Sequence, residues 1–391
     1  MDRIYLDNNA TTALDPAVLE AMRPHFLAAG NAESRHAAGR AARRAWDEAR
    51  DTVAAILGAD PSEVIFTSGG TEANNLAAFG LAGAEHEPGH VVSSPMEHPA
   101  IAEPVARLEA AGFAVDRPGI DDQGLADADA MAATFRDDTR LATLMLANNE
   151  TGAIQPVARL AALAQAHDPP IPVHTDAVQA VGRVAVDFHA LGATTLAASA
   201  HKFHGPVGVG LVLVRRGVRL GSRLFGGGQQ QGRRPGTVAV PLAVGLAAAL
   251  ANWECEAAAR TARWTRLRDR LEAELTTALG ACVVRNGPAD DDRRLPQTVN
   301  LGFPGLDGDA LLMQLDLAGV CASLGSACAS GSTRPSPTLV AMRVPDDRLR
   351  SSVRFSLGAT TTEAEIDAAI PRIVRAVRQA GERDAPGANG Q

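Results

Sequence analysis

Cysteine is scarce in this chain and follows no motif. The 391 residues contain four, Cys255, Cys282, Cys321 and Cys328, and no two form a C-x-x-C pair. That spacing argues against a zinc ribbon or a dithiol redox centre, and no metal site is expected. In a reducing compartment all four read as free thiols. Cys282, beside Val283-Val284, reads as a buried small hydrophobe. Aromatic residues make up only 4%, so the core rests on alanine and aliphatic side chains. There is no basic excess. The net charge of -8 argues against nucleic acid as a default partner, because phosphate binding needs a basic face. No apolar run approaches the roughly 20 residues of a membrane helix. The start, Met1 to Asp7, is strand-like and carries no signal-peptide pattern. A soluble, cytoplasmic protein is expected.

What is present is an ordinary globular composition, 46% hydrophobic, long enough for two or more domains. No internal repeat is visible. Helix and strand signals alternate over the first 250 residues. Helices are expected at Ala37 to Leu57 (closed by Gly58), Glu72 to Leu81, Ala100 to Ala111 and Ala158 to His167. Strands are expected at Val64 to Phe66, Val91-Val92, Leu141 to Ala147, Val173 to Thr175, Thr194 to Ala198 and Val207 to Val214. This alternation predicts an α/β fold with a mainly parallel sheet covered by helices. A long helix follows from Pro241 to Leu275, and then shorter strands and helices of a smaller α+β unit. The expected division is an N-terminal segment, 1–14, joining the small domain; a large domain, 15–253; a small domain, 254–380; and a disordered Gly/Pro/Asp-rich tail, 381–391.

Five strand ends carry candidate chemistry. Lys202 lies between two core strands, where a cation is costly to bury. Lysine forms Schiff bases with carbonyl cofactors, pyridoxal phosphate above all, although a surface lysine in a turn is the alternative. Gly69-Gly70-Thr71 follows a strand and opens a helix, either as an anion cradle or as a plain turn with Thr71 as N-cap. Asp176 ends a strand, where a carboxylate can keep a pyridine nitrogen protonated or merely cap a helix. His98 can lie flat against a planar cofactor or cap a helix, and Asn149 follows another buried strand. Convergence of Thr71, His98, Asn149, Asp176 and Lys202 on one rim favours a site. Cys328 sits in the small, aperiodic run Ala322 to Ser332 and reads as an exposed nucleophile or sulfur carrier. Arg354, in a strand-like run, can clamp a carboxylate or face solvent.

These residues resemble a known family. Tyr5 to Thr12, Gly30-Asn31, His36 to Arg40, Phe66 to Glu72, Glu97-His98, Asn148 to Glu150, Ser199 to Pro206, Gly226 to Gly228, Arg234 to Thr237, Gly325 to Cys328 and Arg354 to Gly358 together resemble the cysteine desulfurases. These are fold-type I pyridoxal phosphate enzymes of the class V aminotransferase group. The resemblance implies that Lys202 binds the cofactor covalently, Asp176 meets its ring nitrogen and Gln179 its ring oxygen. It implies that His98 stacks on the ring and moves protons. It places the phosphate on Gly70, Thr71, Ser199 and His201, with Thr237 reaching the phosphate of a second subunit in a homodimer. Asn149 and Arg354 would bind the carboxylate of L-cysteine. Cys328 would take the sulfur as a persulfide and pass it to an iron–sulfur scaffold or another acceptor protein, with transient contact to a cluster. The loop through Pro335 to Leu339 resembles the subgroup that serves iron–sulfur assembly. Selenocysteine lyase, or another class V aminotransferase, is the alternative. Ala32-Glu33, Val207, Gln230, Pro235 and Val238-Ala239 depart from the family pattern, all outside the named catalytic positions.

Overall fold

The computed structural model describes residues 3–83, 87–221, 223–324 and 335–383. Its strands, in chain order, begin with β1 (Ile4–Tyr5), β2 (Val64–Thr67), β3 (His90–Val92) and β4 (Ala114–Asp116). Then come β5 (Thr139–Thr143), β6 (Val173–Asp176), β7 (Thr195–Ser199) and β8 (Gly210–Val214). The last are β9 (Val284–Asn286), β10 (Thr298–Gly302), β11 (Val320–Cys321), β12 (Ser323–Leu324) and β13 (Ser352–Ser356).

Seven of these form one sheet in the order β2-β8-β7-β6-β5-β3-β4. All pairings are parallel except those of β8, which runs antiparallel to both β7 and β2. The expected mainly parallel α/β sheet is therefore present. β2, β5, β6, β7 and β8 are almost wholly buried, which is why they read as short apolar runs rather than alternating ones. Because β2 is parallel to β7, the carboxyl ends of β2, β3, β5, β6 and β7 all open onto one rim, the place where open α/β sheets bind ligands.

Two strand boundaries differ from expectation. Val207 to Val209 lies outside the ladder, and β8 begins at Gly210. Leu144 to Ala147 also leaves the regular strand. Its backbone still bonds to β6 through Leu144 N–H to the His174 carbonyl (3.2 Å) and Leu146 N–H to the Asp176 carbonyl (2.8 Å). Cys282 corrects a burial expectation. It is exposed, because it closes a short 3-10 turn, Gly280–Cys282, at the end of a long helix.

That helix, Val240–Leu279, has 40 residues and is about 60 Å long. Val240, Leu246 and Leu250 join the core under the large sheet, while Trp264, Leu267, Leu271 and Leu275 join a second core. The second core packs the antiparallel sheet β12-β13-β10-β9 and the helix Glu363–Arg383, and it also takes Ile4 and Leu6. β1 pairs in parallel with β11. The chain's first residues are thus built into the second unit before they cross to the rim. Among the described residues no helix is long and apolar enough to cross a membrane.

Candidate active site

Most of the expected residues meet at that rim. A cleft of about 240 Å³ is lined by Ala10, Gly70, Thr71, Asn74, His98, Ala100, Met145, Asn149, Asp176, Val178, Gln179, Ser199, His201 and Lys202. Most arrive just beyond a strand end, each for a local reason. After β7, the turn Ala200–Lys202 puts the lysine at the mouth, half-buried. Its Nζ donates to the carbonyls of Asn9 and Ala10, both at 2.7 Å. After β2, the helix Gly70–Ala82 starts at Gly69, so Thr71 lies in the first turn and is not the N-cap. Gly70 is required by packing: a Cβ there would stand 2.8 Å from Val178 Cγ2. The bare helix end, Thr71, Ser199 and His201 together form a cradle suited to an anion. His201 stays neutral there. Burial first, then the charges of Lys202 and Arg183, pull its imidazole down to about 4.

Asp176 terminates β6 and is buried. One carboxylate oxygen accepts from Val178 N–H at 2.9 Å and the other from Asn74 Nδ2 at 2.7 Å. Asn74 Oδ1 then accepts from His174 Nε2 at 3.0 Å, and His174 Nδ1 lies 2.8 Å from Thr195 Oγ1. Burial pulls His174 down to about 3, so it is neutral. Because Asn74 gives its N–H to Asp176, the imidazole proton must sit on Nε2, and Nδ1 accepts from the threonine hydroxyl. The relay Thr195–His174–Asn74 fixes how Asp176 presents itself to the cleft. Neither Asn74 nor His174 stands out by spacing, because the contact crosses 100 residues of chain.

A second carboxyl lies behind the first. Glu97 is buried and accepts from Met145 N–H at 3.0 Å. Burial, then the charge of Asp176, pushes it from 4.5 up to about 8, so at neutral pH Glu97 is mostly protonated. The folded protein therefore holds a proton that the unfolded chain releases near pH 4.5. This costs nothing below that pH and takes away stability progressively as pH rises to about 8. Glu97→Gln, which mimics the neutral form, is expected to match the parent at pH 4 and to exceed it at pH 8 by a few kcal/mol, order of magnitude. Urea denaturation at the two pH values measures this, and an equal difference at both would contradict it.

His98 caps a helix, one of the two roles its position allowed, and it also faces the cleft. Its Nδ1 accepts from Ala100 N–H at 3.1 Å as N-cap of the helix Pro99–Ala110. Arg354 is buried in β13 and is not solvated. It reaches the back of the cleft rather than its lining: Nη1 donates to the Asn149 carbonyl at 3.1 Å and Nη2 to Asp7 at 2.6 Å. Its Nε is buried without a partner among the described residues. Thr237 is exposed and apart from this cleft. Cys328 lies outside the described residues. One compositional signal bears on the site more than any motif. Lysine and arginine together number 37, and Lys202 is the only lysine among them.

The sequence and the fold agree with known proteins. The aminotransferase class-V family model matches residues 4–369. A cysteine desulfurase of Nostoc sp. is 44% identical over 97% of this chain and 94% of its own. A solved NifS-like protein superposes with a TM-score of 0.89 at 34% identity, covering 96% of this chain and all of that one. SspA, solved in complex with cysteine, gives a TM-score of 0.80 at 32% identity over 92% of this chain and 99% of that one. The chain belongs to the class V aminotransferase family and, within it, to the cysteine desulfurases.

Proposed function

We propose that this protein is a pyridoxal-phosphate-dependent cysteine desulfurase. It takes sulfur from L-cysteine, releases L-alanine and leaves a persulfide on Cys328 for an acceptor protein. The observation that carries this reading is the meeting of the chain's single lysine, a relay-held carboxylate and a bare helix end in one cleft.

These residues suit the cofactor. Lys202 would hold its aldehyde carbon, Asp176 its ring nitrogen, Gln179 its ring oxygen, and Gly70, Thr71, Ser199 and His201 its phosphate. His98 would lie beside the ring. When bound, the cofactor supplies an electron-withdrawing ring that stabilises negative charge on the substrate's α-carbon. The chain's own groups do the rest. Lys202 Nζ takes the α-proton, and His98 is placed to move a proton beside it. Arg354 and Asn149 hold the substrate carboxylate, which competes with Asp7 for the guanidinium. The Cys328 thiolate attacks the substrate sulfur; an S–S bond forms as the C–S bond breaks, the β-carbon takes a proton, and the α-carbon regains one from Lys202 to complete alanine. We assign Thr237 to the phosphate of a second copy in a homodimer. Its exposure, and that of Phe225 (88%) on the same loop, fits a face that a partner covers. The acceptor is an iron–sulfur scaffold or another sulfur-carrier protein, and the setting is cytoplasmic.

Mass spectrometry after incubation with L-cysteine tests this reading. One added sulfur is expected on the peptide bearing Cys328, with alanine formed in parallel. 3-Mercaptopyruvate, the keto acid of cysteine, in place of alanine would instead indicate an aminotransferase.

A further inference from the structure

Arg183 is a buried cation with no acid beside it. It is 2% exposed, and among the described residues no carboxylate forms an ion pair with it. Its partners are carbonyl oxygens. Nη1 donates to Asn9 Oδ1 at 2.6 Å and, through a short contact, to Gln179 Oε1. Nη2 donates to the backbone carbonyls of Asn8 and Lys202, both at 3.0 Å. Leaving a buried charge without a counter-ion is costly, so the arrangement calls for a compensating use. Burial, then the charge of Arg354, pulls the guanidinium down to about 9, which still leaves it charged at neutral pH.

The consequence falls on Gln179, which lines the cleft. Its oxygen is taken by Arg183, and its Nε2 donates to the Asn9 carbonyl at 3.0 Å. An amide nitrogen carries two hydrogens, so a second N–H of Gln179 remains to be given, while its oxygen is held on the guanidinium. A free glutamine could turn its amide over and offer oxygen instead. We propose that Arg183 is a positioning residue that locks the Gln179 amide so that the cleft receives a donor, selecting the anionic form of the ring oxygen of bound pyridoxal phosphate. The inference rests on the functional reading above and deepens it. A cation on the amide oxygen also polarises the N–H, strengthening its bond to an anion. The same guanidinium holds the backbone of Lys202, so one group sets the amide and the tether of the amine together.

The test is the visible spectrum of the cofactor-loaded protein, titrated with pH. The pH at which the cofactor band changes reports the proton on that oxygen–nitrogen pair. R183M is expected to raise this pH by about one unit or more, because the anion loses its oriented donor. R183K keeps a charge but not the two-pronged reach, and is expected to shift it by less. Q179L is expected to raise it as well. R183M placed on Q179L is expected to add nothing, because Arg183 acts through the amide. Merely structural support would lower melting temperature or loading and leave the band's pH unmoved in the loaded fraction. An unmoved band in R183M, or shifts that add in the double variant, overturns the proposal. Should R183M not fold, R183K with and without Q179L decides in the same way. A parent protein with no cofactor band would refute the functional reading itself, which separates the two failures.

Discussion

Lys202→Ala protein, mixed with pyridoxal phosphate, is expected to give no adduct fixed by borohydride and to lose at least about 10⁴-fold in turnover. The parent is expected to give one adduct, on the peptide bearing Lys202. The chain makes this a sharp test because Lys202 is its only lysine. Apart from the α-amino group, no other primary amine exists to capture an aldehyde. The turn Ala200–Lys202 places Nζ at the cleft, where the carbonyls of Asn9 and Ala10 hold it. The side chain is half-exposed, so the fold is expected to survive the truncation, as circular dichroism would check. A borohydride-fixed adduct that persists in the variant would sink the assignment.

Cys328→Ala is expected to keep the cofactor band and to lose the persulfide, with alanine release from cysteine falling about 10³-fold or more. The described residues on either side of this segment, Ser323 and Ser336, bond to residues at the back of the cleft. On one side, β12 pairs with β13 beside Arg354, and Ser323 Oγ donates to Asp7 at 2.8 Å. Asp7 in turn holds Arg354, which reaches the carbonyl of Asn149 in the cleft. On the other, Ser336 Oγ donates to the buried Glu150 at 2.5 Å. Assays with L-cysteine and with L-selenocysteine distinguish the two substrate classes. Undiminished release of sulfide from cysteine would remove Cys328 from the reaction, while activity retained only on selenocysteine would favour the lyase alternative.

Much of this architecture was legible locally. β2, β6 and β7 fall where short apolar runs bounded by turn residues put them, and the helices close at glycines or at changes of period. Gly58 shows why such punctuation works. It stops the helix Ala37–Ile56 in a left-handed conformation, φ 59°, and a Cβ there would stand 2.5 Å from Asp187. Convergence of Thr71, His98, Asn149, Asp176 and Lys202 followed from a single rule about where parallel strands end. What stayed hidden depended on contacts across the chain. Cys282 sits next to two valines, yet the end of a helix turned it outward. Arg354 reads as a free clamp until its pairing with Asp7, 347 residues away, is seen.

Sequence alone therefore determined the chemistry on offer: one amine, one carboxylate at a strand end, one glycine-opened helix and one thiol in a small-residue run. These are properties of residue type and short spacing, which act over a few ångströms of backbone. Tertiary structure decided their charge and direction. It left Glu97 protonated behind Asp176, made His174 neutral, and turned Gln179 by a buried guanidinium. Protonation and amide orientation depend on desolvation and on partners brought in from distant segments, and those exist only once the chain has packed.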